Sequence, residues 1–124
     1  MDSIYVVIRK APYGSLAAAE GVRHLLGAAG CGMAATAVLV DDGVYLAKRG
    51  QDPAGTGWTN LSEVLQKALD PGRAGASPQV RAYVHRASAQ QRGINDVDLV
   101  GGMELIDDDQ LAAMLVTVEG LLIF

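Results

Sequence analysis

Ile4-Tyr5-Val6-Val7-Ile8 is an unbroken run of β-branched and aromatic residues with no polar residue at alternate positions. A strand with one face in water alternates apolar and polar, whereas this run fits a strand covered on both faces, as in a parallel sheet. A parallel sheet needs crossover connections between its strands, so the rest of the chain must supply helices between further short strands.

It does so in order. Lys10-Ala11-Pro12-Tyr13-Gly14 breaks the first strand as a turn. Ser15 is the expected N-cap of a helix from Leu16 to about Ala29, with Leu16, Ala19, Val22, Leu25 and Leu26 at helical spacing and Gly30 as its stop. Ala35–Val40 reads as strand two, ended by Asp41-Asp42-Gly43. Val44–Lys48 reads as a short helix, followed by a polar loop from Arg49 to Gly57. Asn60 and Glu63 have capping-box spacing before a helix whose apolar face is Leu61, Val64, Leu65, Ala68 and Leu69. Asp70–Pro78, rich in Gly, Ala and Pro, is expected to be a surface loop. Val80–Val84 reads as strand three, and Ala87–Gln91 as a short helix ended by Arg92-Gly93. Met103–Ile106 reads as strand four. Asp107 and Gln110 are spaced to cap a last helix carrying Leu111, Met114, Leu115 and Val118. Leu121–Phe124 reads as strand five. The β-α alternation predicts one α/β domain over residues 1–124, a three-layer sandwich on a parallel five-stranded sheet with right-handed crossovers.

With 124 residues, 50% of them hydrophobic, the chain is long enough for one such core and too short for two. Aromatic residues are only 5%, so the core is built of Ala, Val and Leu, which lets backbones pack closely. The net charge of −4 argues against general nucleic-acid binding, which needs a basic surface. The longest apolar stretch falls far short of the ~20 residues of a membrane helix, and no signal peptide is expected, since no basic segment with a cleavage site stands before the strand-like run. The single cysteine, Cys31, forbids an intrachain disulfide and fits a reducing cytoplasm, the expected location.

Several chemistries lack their parts. The sequence has no glycine-rich phosphate loop and no G-x-S-x-G elbow. His24 and His85 have no metal-ligand spacing with Cys31. No metal and no cofactor is expected.

In parallel sheets, sites form at the carboxyl ends of the strands, here Lys10–Gly14, Asp41–Gly43, His85-Arg86 and Asp107. His85, with Arg86 and Arg92, reads either as a polar site for an anion or a sulfur species or as a solvent-facing helix start. Cys31, between Gly30 and Gly32 at the opposite end, has no neighbouring cation in sequence to activate its thiol and reads as incidental. Asp41-Asp42 reads either as a cation site or, more often for two acids before a glycine, as a turn with helix-cap duty, and Asp107-Asp108-Asp109 as a helix start that complements the dipole. Tyr13, Tyr45 and Trp58, scarce aromatics in loops or near helix starts, read either as interface anchors or as cover for the sheet.

These segments together resemble the DsrE/DsrF-like family. Arg9-Lys10-Ala11-Pro12-Tyr13-Gly14 resembles its "APxG" turn, and Ala19-Glu20-Gly21 its "xEG" helix. Asp42-Gly43-Val44-Tyr45 with Gly50-Gln51-Asp52-Pro53 resembles the "DGV(F/Y)…GQxP" stretch of the DsrF/TusC branch. Tyr83-Val84-His85, Ala87-Ser88 and Gln91-Arg92-Gly93-Ile94 resemble "xVCxxSxxxRGL". Leu121-Leu122-Ile123-Phe124 is similar to the family's closing strand.

The resemblance implies strand order 4-3-2-1-5 and assembly into homotrimers, or into hexamers with DsrE/TusD-like sister subunits. It also implies a role in passing persulfide sulfur for tRNA thiolation or sulfur metabolism. Relay-competent members carry that sulfur on a cysteine after strand three, where this chain has His85, and histidine cannot form a persulfide. The expected role is therefore a non-catalytic partner subunit in intracellular sulfur relay. The alternative is a homo-oligomeric protein that binds a small ligand around Tyr13, Gly14, Ser15, His85, Arg86 and Arg92.

Overall fold

The computed structural model describes residues 2–69 and 80–124. The loop expected over Asp70–Pro78 lies outside them. Five strands form one sheet: β1 (Ser3–Ile8), β2 (Ala34–Leu39), β3 (Val80–His85), β4 (Met103–Ile106) and β5 (Leu121–Ile123). Their order is β4-β3-β2-β1-β5, and every pair is parallel. Between them lie α1 (Ala17–Gly30), α2 (Leu61–Leu69), α3 (Arg86–Gln91) and α4 (Asp108–Thr117), with a 3₁₀ turn over Asp41–Ala47.

The steps from β1 to β2, β3 and β4 all move one way across the sheet, so right-handed connections stack α1 and α2 on one face. The last connection returns past β1 to the opposite edge, which carries α4 to the other face. Strand register sorts the side chains accordingly. Val6 and Ile8, Ala35, Ala37 and Leu39, and Ala82 and Val84 share the face under α1 and join its Ala18, Val22, Leu25 and Ala29 in the core. Three strand alanines in that set leave room for the helix to sit low on the sheet. Tyr5, Val7, Thr36, Val38, Arg81, Tyr83 and His85 point to the α4 side.

Local signals were corrected at several ends. Ser15 does not cap α1: the N-cap is Leu16, with no side-chain cap hydrogen bond, and Ser15 is exposed. Gly14 turns the chain at φ +92°, and Leu16 takes up a helical conformation before α1 begins, so Ser15 falls one residue early. Gly30 belongs to the helix, and the stop is Gly32 at φ +91°. Met33 N–H donates to Ala28 O and Gly32 N–H to Ala29 O, the paired closure of a Schellman motif. The short helix expected at Val44–Lys48 is a 3₁₀ turn that starts earlier, at Asp41, because Asp41 itself is left-handed (φ 49°) and folds the chain back directly after β2. The short helix expected at Ala87–Gln91 begins one residue earlier, at Arg86, with no linker after β3.

At α2 only half of the capping box forms. Asn60 Oδ1 accepts from Glu63 N–H (3.0 Å), while the Glu63 carboxylate turns to Lys67 (3.2 Å). At α4 the box is complete: Asp107 Oδ1 accepts from Gln110 N–H (2.8 Å), and Gln110 Oε1 accepts from Asp107 N–H (2.9 Å). Val118, expected on this helix, is its C-cap. No residue of α4 is fully buried, and Leu111, Met114 and Leu115 are only half-covered, so the cap matters more here than in α1. Asp107→Ala is expected to lower stability by about 1 kcal/mol, read from the midpoint of urea unfolding at unchanged slope.

Candidate functional site

Three strands end side by side at the carboxyl edge and contribute Arg9-Lys10, Asp41-Asp42 and His85-Arg86; β4 adds Asp107-Asp108. His85 is the last residue of β3 and the N-cap position of α3. Its ring is held from both sides. Nδ1 lies 2.7 Å from Ser88 Oγ, and Nε2 lies 2.5 Å from Asp108 Oδ1. Ser88 Oγ also accepts from Asp41 N–H at 3.0 Å. With that lone pair occupied, the hydroxyl proton can donate to Nδ1, which leaves the ring proton on Nε2 facing the Asp108 carboxylate.

The connectivity is serine–histidine–aspartate, but it is not built for acyl transfer. Ser88 is 4% exposed, and the one backbone N–H beside it is already spent on its own Oγ. A nucleophile must reach a carbonyl carbon, with further donors free for the developing oxyanion. This cluster instead fastens the ends of β2, β3 and β4 to one another. Arg92 extends it: Nε donates to Asp42 Oδ1 (2.9 Å), and a terminal nitrogen donates to Ser88 O (3.1 Å). Asp41, one of the residues so held, is the only non-glycine with positive φ among the described residues.

His85, Arg86 and Arg92 are thus brought to one edge, with the His85 and Arg92 side chains engaged inside the protein and Arg86 exposed. Tyr13, Gly14 and Ser15 follow β1, two strand spacings or roughly 10 Å across the edge. Gly14 and Ser15 are exposed. The Tyr13 hydroxyl donates to Gln51 Oε1 (2.7 Å). Burial of this phenol, with the Asp52 carboxylate adding to it, pushes its pKa above the ordinary value. Gln51 Nε2 in turn donates to Tyr45 O (2.7 Å) and Lys48 O (2.6 Å), which ties the β1 turn to the loop before α2.

Cys31 is exposed at the end of α1, at the amino edge of the sheet. A six-residue strand separates the two edges, which puts the thiol on the order of 20 Å from His85. Among the described residues no group of histidine, cysteine or carboxylate side chains is arranged to hold a metal ion. No helix among them is long and apolar enough to cross a membrane.

Sequence reasoning named His85, Arg86 and Arg92 but gave Ser88, Asp108 and Gln51 no site role. The three-residue spacing of His85 and Ser88 at a helix start was a readable signal for one of them. Asp108 has none, because it arrives from a different strand end.

The model of the DsrE/DsrF-like family matches residues 2–124. The chain belongs to the DsrE/DsrF-like family. It is 37% identical over 92 residues to the intracellular sulfur oxidation protein DsrF of Allochromatium vinosum, covering 74% of this chain and 63% of that one. It is 31% identical over 115 residues to a TusC homolog of Vibrio parahaemolyticus, covering 93% and 92%. An uncharacterized protein of Methanopyrus kandleri is 34% identical over 105 residues, covering 85% of this chain and 79% of its own length. The crystal structure of the ychN protein from E. coli shares the fold, with a TM-score of 0.85 over 100% of both chains at 23% identity. The observed strand order is the one that the resemblance to this family implied.

Proposed function

We propose that this chain is a single-domain partner subunit of a cytoplasmic sulfur relay, one that shapes the assembly and carries no sulfur itself. The observation behind this reading is His85. It stands where the family resemblance puts the relay cysteine, with both ring nitrogens hydrogen-bonded. The only cysteine lies at the other edge of the sheet. Relatives named DsrF and TusC homolog support the pathway.

Self-association, or pairing with DsrE/TusD-like sister subunits, is supported by the sheet face that α4 leaves open. Register puts Leu121 and Ile123 of the edge strand β5 on that face, 42% and 58% exposed, and Val116 of α4 is 82% exposed. An edge strand with bare apolar side chains is a template for a partner. Ile123→Lys is expected to shift the purified protein from a trimer or hexamer to monomer in analytical ultracentrifugation while far-ultraviolet circular dichroism stays unchanged. An oligomer unaffected by the lysine would remove β5 from the interface. The pathway itself is tested by mixing with a family member that has a cysteine after its third strand. Co-migration and faster sulfur transfer through that partner are expected. Absence of both, with the partner active alone, would sink the relay reading.

A second reading is a homo-oligomer that binds a small ligand around Tyr13, Gly14, Ser15, His85, Arg86 and Arg92. It is favoured by an apolar hollow of about 180 Å³ beside Pro12, Tyr13 and Tyr45. A shift in melting temperature with small anions or nucleotides, lost in Tyr13→Ala, would support it over the first.

A further inference from the structure

The loop between the 3₁₀ turn and α2 carries the chain's only tryptophan, Trp58, 39% exposed. The loop is long, yet its own polar groups hold it in one shape. Gln51 anchors its start through Tyr45 O, Lys48 O and the Tyr13 hydroxyl. Asn60 Nδ2 donates to Gln51 O (3.1 Å) and closes its base. Asp52 Oδ1 accepts from Ala54 N–H (3.1 Å), Thr56 Oγ1 donates to Pro53 O (2.6 Å), and Trp58 N–H donates to Thr56 Oγ1 (3.1 Å). A surface aromatic on a preorganised loop contributes contact area at little entropic cost on binding.

Trp58 lines an open hollow of about 550 Å³ with Gln51, Asp52, Asn60 and Glu63. Its charged lining is two carboxylates: Asp52, and Glu63, which is paired at 3.2 Å with Lys67 in an exposed ion pair, a kind that contributes little and exchanges partners readily. Gly55 and Gly57, left-handed at φ +79° and +84°, form part of the wall and have nothing within 4 Å of where a side chain would start. The wall is therefore bare backbone, open to a visiting chain. The apolar hollow beside Tyr13 and Tyr45 adjoins it, because Gln51 lines both. Tyr13, Tyr45 and Trp58 are half of the six aromatic residues in the chain, and all three gather around this one glutamine.

We infer that this loop is a docking surface for a basic segment of a partner protein, whose arginine or lysine stacks on the Trp58 ring beside Asp52 and takes the place of Lys67 at Glu63. An aromatic face attracts a cation, and carboxylates beside it add charge complementarity on a chain of net charge −4. The surface is separate from the His85 cluster and from β5, so the inference does not rest on the sulfur-relay reading.

The test uses the full chain and a peptide of alternating glycine and arginine, with a glycine–glutamate peptide as control. Trp58 is its own reporter. The arginine peptide is expected to change tryptophan emission saturably, and the glutamate peptide to leave it unchanged. Calorimetry should show binding weakened about tenfold in Trp58→Ala, and less in Trp58→Phe, which keeps an aromatic face. Asp52→Asn with Glu63→Gln should weaken it similarly and flatten its salt dependence. Equal response to both peptides would overturn the inference. So would arginine binding indifferent to all these changes, or an emission change that tracks protein concentration alone and marks a contact between copies.

Discussion

Gly43→Ala is expected to destabilise the fold by on the order of 3 kcal/mol or more, roughly a 10 °C fall in melting temperature for a chain this size. Gly43 is buried in the 3₁₀ turn after β2. A β-carbon there would sit 1.9 Å from Ile8 O and 2.7 Å from Ile8 C. Those are backbone atoms, so no rotamer change relieves the overlap. Ile8 O is also fixed by the N–H of Val40 (3.1 Å), and the Ile8 side chain is fully buried under α1. Either the 3₁₀ turn lifts off the end of β1 or β1 moves in the middle of the sheet. Gly27→Ala is the control. Gly27 lies on the exposed side of α1 with nothing within 4 Å, so alanine there is expected to stabilise by about 0.5–1 kcal/mol. Urea unfolding of both variants reads the contrast. A Gly43→Ala protein within 1 kcal/mol of the parent would mean that the turn and β1 are not in fixed contact. The glycine of the Asp42-Gly43-Val44-Tyr45 stretch thus has a packing reason of its own.

His85→Cys, made in a Cys31→Ser background, is expected to turn a chain that accepts no sulfur into one that accepts it on most copies. The introduced thiol would stand at the end of β3, at the carboxyl edge. Its thiolate attacks the outer sulfur of a donor persulfide. A new S–S bond forms on this chain, the donor's S–S bond breaks, and the donor leaves as a thiolate, so no oxidant is needed. The site loses two hydrogen bonds with His85, and Ser88 keeps the one from Asp41 N–H. The cost is about 1–2 kcal/mol, small enough to leave the protein folded. The measurement is incubation with a cysteine desulfurase and cysteine, alkylation, and mass spectrometry at position 85. A folded variant that stays unmodified, while a cysteine-bearing relative is labelled alongside, would mean that this edge is not a relay site in this chain. The partner-subunit proposal would then lose its main support. Sulfur on Cys31 of the unaltered protein would overturn it from the other side.

The order of strands and helices was legible because burial imposes periodicity. Ile4–Ile8 has no polar face, and the apolar spacing in α1 and α2 repeats with the helix. The Asp107–Gln110 box was legible too, because a cap is a local hydrogen bond between residues three apart. Ser15 and Gly30 were misread for the converse reason. Which residue starts or stops a helix depends on the φ of its neighbours, Gly14 and Gly32, and any glycine in such a stretch reads alike. His85 and Arg86 were found from their place at a strand end, a rule about topology that sequence order carries.

What the sequence alone could not carry was who touches whom. Ser88 and Asp108 meet His85 from three and 23 residues away, and Asp42 meets Arg92 across 50. Gln51 joins Tyr13 across 38. The sequence by itself determined the alternation of strands and helices, because burial is periodic, and the family motifs and the absence of a thiol after β3, because these are residue identities; the strand order came only as what the family resemblance implied. Tertiary structure alone decided that His85 is held within a closed hydrogen-bonded cluster and that Trp58 stands beside two carboxylates. Such contacts depend on where separate strand ends and loops come to rest, and no local pattern encodes that.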